Sequence, residues 1–348
     1  MISASSNRRA AVLLVGNPGQ EHVGSHLRRA AEDLGLSVEF ADLREASNGH
    51  WLARKAYWHL RGRRPVGLEP FSRRVVEQCA RLRPDMLLTT GFAPVDAESL
   101  QEIGRLGVCR ANYLTDDPWN PAQRTPWFLG ALPHYDQVFS PRKANLDDLR
   151  ALGCGRVSYL QFAYAPHLHF PETLSVARKE ELESDVIFAG GGDADRVPYV
   201  GALVCAGFHV ALYGGYWDRF RATRTRSHGL KDPAFLREAI SAAKIALCLV
   251  RRANRDGHCM RSFEAPAIGA CMLVEKTEEH VELFGPEGRA VIYFESIPEM
   301  TEKAHWLLDR DAERNRLREA AHRLVCEGNH TYKDRLRSIL VSARLASV

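Results

Sequence analysis

The sequence has no uninterrupted apolar run of about 18 residues, the length a membrane-spanning helix requires, so no transmembrane helix is expected. It has no C-x-x-C pair. Its eight cysteines (79, 109, 154, 205, 248, 259, 271 and 326) are scattered, mostly in apolar segments such as "IALCLV" and "GACMLV". That pattern argues against a zinc site and for buried free thiols in a reducing compartment. A large excess of either charge is also missing. The formal net charge is +4, too modest to predict a nucleic-acid partner. Low-complexity tracts are absent, and a hydrophobic fraction of 45% supports substantial cores. The opening "MISASSNRRAAVLLVGNPG" carries two arginines before an apolar run, as a signal peptide would. However, "AAVLLVG" is only strand-length and leads into a turn and a helix rather than a cleavage site. A cytoplasmic protein is expected.

At 348 residues the chain is long for one domain and comfortable for two of about 150 residues each. In the first half, "AAVLLVG", "SVEFADLR", "PDMLLTTGF", "VCRANYLTDDP" and "YDQVFSPR" read as strands, with helices such as "SHLRRAAEDLG" and "DAESLQEIGRLG" between them. Strands this apolar, alternating with helices, predict a parallel sheet covered on both faces. The segment "APHLHFPETLSVARKEELES" (165–184) interrupts the rhythm with two prolines and a charge run, and reads as a linker. The pattern then restarts with "DVIFAGGGDADR", "FHVALYGG", "IALCLV", "CMLV" and "AVIYFES" as strands. The expected fold class is α/β: two tandem Rossmann-like domains, 1–170 and 171–328, with a ligand cleft between them at the carboxyl ends of strands. Residues 329–348 are expected to form a helix packing back towards the first domain.

Several stretches carry candidate chemistry. The basic run "ARKAYWHLRGRRP" (53–65) interleaves Trp and Tyr with Arg and Lys. It reads either as a solvated helix and loop or as a patch for an anionic acceptor or membrane surface. Glycines follow predicted strands in "VGNPGQEHVG" (Gly16, Gly19), in "AGGGDADR" (Gly190, Gly191, Gly192) and in "YGGYW" (Tyr213, Gly214). Such glycines let backbone approach a ligand, or simply make a tight turn. None completes a G-x-G-x-x-G fingerprint, so a dinucleotide is not expected. Arg196 lies just past the second loop. After "IALCLV", the stretch "RRANRDGHCMRSFE" supplies Arg251, Arg252, Asp256, Arg261 and Glu264. So many charges at a strand end need partners. A diphosphate would satisfy the arginines, and a carboxylate at a helix start could accept both hydroxyls of a ribose. The first turn of that helix should also offer unpaired N–H groups to an anion.

The motif "RSFEAPAIGACMLVEKTEEHVELF", together with "EGNHTYKDRLRSIL" near the end, resembles the C-terminal domain of GT-B glycosyltransferases, closest to the CgeB-like (spore maturation protein-like) group. The similarity runs over roughly 85–340. It implies a nucleotide-diphosphate-sugar co-substrate bound mainly by the second domain, with no tightly bound cofactor and no metal, and transfer to an unknown hydroxyl of a polysaccharide, lipid or protein. Retention of anomeric configuration is part of what it implies. In the family's E-x7-E pair the second acid matches Glu264, and the first position is Asp256, a departure. Arg261 is implied at the diphosphate with Arg251 or Arg252 in support, and Gly190–Gly192, Arg196, Tyr213 and Gly214 face the same donor. The first domain is implied to hold the acceptor through Gly16, Gly19, Asp117 and Trp119, with Asp116 orienting its hydroxyl. Two other readings stay open: a nucleotide-sugar epimerase or hydrolase, and a non-catalytic module that binds a nucleotide sugar or a partner.

Overall fold

A computed structural model describes residues 10–345, so the Arg8–Arg9 pair of the opening stretch lies outside the described residues. The chain divides into two compact units. One comprises Met1–Gln161 and Tyr332–Val348, the other Phe162–Thr331.

The first unit is built on six parallel strands: β1 (Ala11–Gly16), β2 (Ser37–Asp42), β3 (Met86–Thr90), β4 (Cys109–Tyr113), β5 (Gln137–Ser140) and β6 (Val157–Tyr159). Their spatial order is β2-β1-β3-β4-β5-β6. The connecting helices are α1 (Val23–Asp33), α2 (Trp51–Leu60), α3 (Leu68–Leu82), α4 (Ala97–Arg105), α5 (Pro126–Ala131) and α6 (Leu146–Ala151). Central strands are buried on both faces: Leu13, Leu14, Val15, Leu87 and Leu88 are all fully covered, which is why they read as continuous apolar runs. Local signals start and stop the helices. Asp96 caps α4 by accepting from Ser99 N–H at 2.9 Å, and α3 ends on Arg83 in the left-handed region, φ 47°.

The second unit repeats the plan. It contains α7 (Val176–Leu182), β7 (Val186–Ala189), α8 (Val197–Cys205), β8 (Val210–Tyr213), α9 (Pro233–Ala242) and β9 (Ile245–Cys248). Then come α10 (Arg261–Ile268), β10 (Met272–Glu275), α11 (Glu278–Phe284), β11 (Ile292–Phe294), α12 (Ile297–Leu308) and α13 (Asp311–Glu327). Its parallel strands lie in the order β11-β10-β9-β7-β8. The last helix, α14 (Tyr332–Ser342), belongs to the first unit. There Tyr332 stacks on His26 of α1 at 4.7 Å, and Arg335 donates to Gln161 O at 2.8 Å.

The stretch read as a linker is structured. The Leu168 and His169 N–H groups both donate to Ala165 O, Arg237 of α9 donates from Nε to Glu172 at 2.5 Å, and Ser175 caps α7 by accepting from Arg178 N–H at 3.2 Å. In each unit the strand order reverses at the first strand: β1 lies between β2 and β3, and β7 between β8 and β9. In open parallel sheets the crevice outside such a reversal is where ligands bind. This places attention on the carboxyl ends of β1 and β3, and of β7 and β9.

Candidate nucleotide-sugar site

At the β7/β9 reversal, glycine chemistry shapes the floor. The loops after β7 and β8 are zipped together, with Gly190 N–H donating to Tyr213 O at 2.7 Å and Gly192 N–H to Gly215 O at 2.9 Å. Gly214 has φ +139°, and a Cβ there would land on the Gly190 carbonyl; only glycine fits. Trp217 Nε1–H donates to Gly190 O at 2.8 Å, and a Cβ on Gly192 would strike the same indole ring. Tyr213 itself is buried and stacks on His228 at 4.9 Å, so its ring serves the core rather than the loop.

Three guanidinium groups converge on this floor. Arg261, first residue of α10, donates from Nε to Ala189 O at 2.8 Å. Arg196, almost fully buried, donates from Nη1 to Gly191 O at 3.1 Å and from Nη2 to Leu249 O at 3.3 Å. Its plane lies over Phe188, 5.5 Å from the ring centroid, so Arg196 braces the loop. Arg251, just past β9, is about one-third exposed, and its guanidinium stands 3.8 Å from Asp193. Of these three guanidiniums, Arg251 and Arg261 keep about a third of their side-chain surface exposed, and Arg196 does not.

The acids sit among them. Glu264, 2% exposed, is ion-paired with Arg261 one helical turn earlier. On its other side stands His169, whose Nδ1 accepts from Ala165 N–H at 3.0 Å. The proton of the neutral ring is thereby directed to Nε2, 3.9 Å from the Glu264 carboxylate. Asp256 accepts from Arg251 N–H at 3.3 Å across a tight loop that turns on Arg255, φ 51°. The first turn of α10 is not an open anion nest. Ser262 N–H donates to Cys259 O, and the Phe263 and Glu264 N–H groups donate to Met260 O. Met260, just before the helix, already has helical backbone, φ −57° and ψ −38°.

Arg252 points elsewhere. Its Nη2 donates to Glu275 Oε1 at 2.5 Å and to Tyr199 OH at 2.7 Å. Glu275, at the end of β10, also accepts from Val250 N–H at 3.1 Å. Burial raises the Glu275 carboxyl above its ordinary value, against the opposing charge of Arg252. This pair holds the end of β9 to β10.

Sequence reasoning missed the residues that fix the loop before α10. Thr277, which caps α11, and Glu279 and His280 in its first turn reach across to that loop. Thr277 Oγ1–H donates to Gly257 O at 2.5 Å. His258 Nε2 accepts from Phe162 N–H at 3.2 Å, so its Nδ1–H donates to Glu279 at 2.5 Å. His280 Nδ1–H donates to Glu275 O at 2.8 Å, and its Nε2 accepts from Ser262 Oγ–H at 2.8 Å. Burial lowers His280 to about 4, keeping it neutral. Beside it, Cys248 and Cys259 lie 3.7 Å apart. Their hydrogen bond holds the Cys259 thiol below its ordinary value, helped by the charge of Arg196, while Cys248 is raised. The only sequence signal for this clamp is a capping Thr directly after a strand.

In the first unit, the β1 loop is equally tight. A Cβ on Gly16 would meet Gly24 Cα at 2.9 Å, so strand end and helix start are in contact. Gly19 N–H is held by Asn17 Oδ1 at 2.9 Å. After β4, Asp117 is fully buried and accepts from Trp119 N–H at 2.9 Å, a turn-forming arrangement. Trp119 packs partly into the core. Asp116 is half-buried, with Thr115 Oγ1 at 3.3 Å, and keeps the better access. A groove of 780 Å³ between α3 and the starts of α4 and α5 is lined by residues such as Arg73, Glu77, Asp96, Glu102 and Trp127.

A family model described as "Glycosyl transferase-like" matches residues 199–341, a span that includes the whole loop from Arg251 to Glu264. No curated protein matches. Among solved structures, the chain is similar to sucrose-phosphate synthase from Thermosynechococcus elongatus, with TM-score 0.68, 13% identity, and coverage of 97% of this chain and 98% of that one. It is similar to Anabaena HepE in complex with UDP and glucose, with TM-score 0.64, 12% identity and coverage of 97% and 100%. A putative UDP-N-acetylglucosamine 2-epimerase from Listeria monocytogenes gives TM-score 0.58, 15% identity and coverage of 97% and 96%. At these identities the likeness is one of fold: two parallel-sheet, Rossmann-like units of the GT-B type.

Proposed function

We propose that the protein is a glycosyltransferase that takes its sugar from a nucleoside-diphosphate donor, held at the β7/β9 reversal of the second unit. One observation carries the reading. A buried carboxylate, Glu264, and a partly exposed guanidinium, Arg261, form a pair one turn apart at the head of α10, against the glycine loop after β7. A carboxylate so placed accepts the two hydroxyls of a ribose. Arg261 and Arg251 neutralise the diphosphate, and as the glycosidic bond breaks they stabilise the leaving group's charge. The match of 199–341 to the glycosyltransferase-like family, and the UDP seen in the HepE structure, support the same assignment.

In this reading the donor is a UDP- or GDP-type hexose, transfer retains configuration without a metal, and the acceptor hydroxyl is oriented by Asp116. Asp256 stands where the family places the sugar-side acid and is the residue to lie nearest the transferred sugar. Titration calorimetry with UDP, GDP, ADP, TDP and CDP tests the donor site. Micromolar binding of one of them, weakened in Glu264→Gln, is the expected result, and no binding to any would overturn the assignment. A second reading, nucleotide-sugar epimerisation or binding without transfer, is favoured by the likeness to the epimerase and by the Asp at position 256. Incubation with the matching sugar nucleotide separates them: released nucleoside diphosphate marks transfer or hydrolysis, a rearranged but intact donor marks epimerisation.

A further inference from the structure

Helix α2 has no buried residue, which is unusual for a helix in a compact unit. Trp51 is 63% exposed, Leu52 54%, Trp58 50% and Leu60 80%. At about 100° per residue, Trp51, Lys55 and Trp58 follow one another at i, i+4 and i+7, flanked by Leu52, Arg54 and His59. The half-buried positions, Ala53 and Tyr57, lie on the opposite side. Between Glu45 and Glu69 there is no acidic residue, while Arg54, Lys55, Arg61, Arg63 and Arg64 are all cationic. Arg63 anchors the helix end: its guanidinium lies 5.5 Å from the Trp58 ring centroid, and its Nη1 donates to Pro121 O at 2.9 Å.

From this arrangement we infer that α2 is a docking surface for an anionic lipid bilayer. Indole rings interleaved with Lys and Arg on one outward face suit the boundary between headgroups and acyl chains. Arg64 is ion-paired with Glu69 at 2.6 Å, and the positive charge of Arg54, Lys55 and Arg61 complements phosphate headgroups. Nucleic acid would use the cations and the indoles but not the exposed leucines. A helix of ten residues spans only about 15 Å, and among the described residues no helix is long and apolar enough to cross a membrane. The contact is therefore a surface one, and it is independent of whether the second unit transfers a sugar.

The test is co-sedimentation with unilamellar vesicles of phosphatidylcholine alone or mixed equally with phosphatidylglycerol. The wild-type chain is compared with Trp51→Ser/Trp58→Ser and with Arg54→Glu/Lys55→Glu, after circular dichroism has shown each to be folded. The expected result is binding to the mixed vesicles only, weakened by salt and at least tenfold weaker in both variants. Failure of the wild-type chain to bind, equal binding to both vesicle types, or variants that bind like the wild type would overturn the inference. So would a dimer in analytical ultracentrifugation that the tryptophan variant abolishes without any vesicle binding, because α2 would then be a contact between copies.

Discussion

Arg261 and Glu264 are ion-paired across the first turn of α10, while the Arg261 Nε–H reaches back to Ala189 O at the end of β7. Helix head and sheet edge are thus locked together by one guanidinium. If the pair holds a nucleoside diphosphate, its two members act on different parts of it. Arg261→Ala should weaken UDP and inorganic pyrophosphate alike, by about tenfold or more, since a charge-assisted hydrogen bond contributes roughly 1.5–3 kcal/mol. Glu264→Gln should weaken UDP but leave pyrophosphate nearly unchanged, because its target is the ribose. Parallel titration calorimetry reads both. Equal losses for the two ligands in Glu264→Gln would reduce the carboxylate to a prop for Arg261.

Neighbouring arginines should separate in the same way. Arg252, though partly exposed, is committed to buried Glu275 and to Tyr199, whereas the Arg251 guanidinium stands 3.8 Å from Asp193 without so close a partner. Arg252→Met leaves Glu275 buried without its cation, and should cost roughly 1–3 kcal/mol of stability with less than a twofold change in diphosphate affinity. Arg251→Ala should do the reverse. Urea denaturation and calorimetry on the two variants decide it, and a large affinity loss in Arg252→Met would return that residue to the donor site.

The layers of the fold were legible because each central strand is an apolar run closed by turn residues, and parallel strands buried on both faces leave no other pattern. The polar cluster at the β7/β9 reversal was legible where charged groups interrupt that pattern, as at Arg251, Arg261 and Glu264. Other features depended on which strands become neighbours. Thr277, Glu279 and His280 reach the loop at 257–262 only because β10 lies beside β9, and nothing local in "KTEEH" announces it. The prolines and charges of 165–184 concealed a capped helix and an ion pair from Glu172 to Arg237 of α9, since tertiary partners rather than propensity order that stretch. The N–H groups of Ser262, Phe263 and Glu264, expected to be free, are occupied by the carbonyls of Cys259 and Met260, the latter already helical before α10 begins.

Gly214 offers a test of the floor beneath the site. With φ +139° and the Gly190 carbonyl where its Cβ would be, alanine there combines backbone strain with a clash against main chain that has no rotamer to yield. Gly214→Ala should destabilise the chain by roughly 2–4 kcal/mol and weaken diphosphate binding, as the loops after β7 and β8 move apart. Gly215, where a Cβ meets nothing, supplies the control: Gly215→Ala should stay close to the wild type in thermal denaturation. Similar behaviour of the two variants would mean that the close approach of these loops is not required.

His280 makes stability depend on pH with a definite sign. Its folded pKa is lowered from 6.5 to about 4, chiefly by burial. Between these values the unfolded chain takes up a proton that the folded chain does not. Stability from this group is therefore complete above pH 6.5, declines as the pH falls towards 4, and is flat below. The full decline is on the order of 3 kcal/mol. His280→Gln removes the titration and also breaks the hydrogen bonds to Ser262 and Glu275 O. The variant should thus be less stable at pH 7 yet lose less on acidification. The carboxylates with lowered pKa, such as Asp136 and Asp185, titrate in both proteins, so the difference between their urea-denaturation curves from pH 7 to pH 4.5 isolates the histidine. Parallel curves would show that His280 takes up its proton at the same pH in the folded and unfolded chains, so that burial does not hold its ring neutral on acidification.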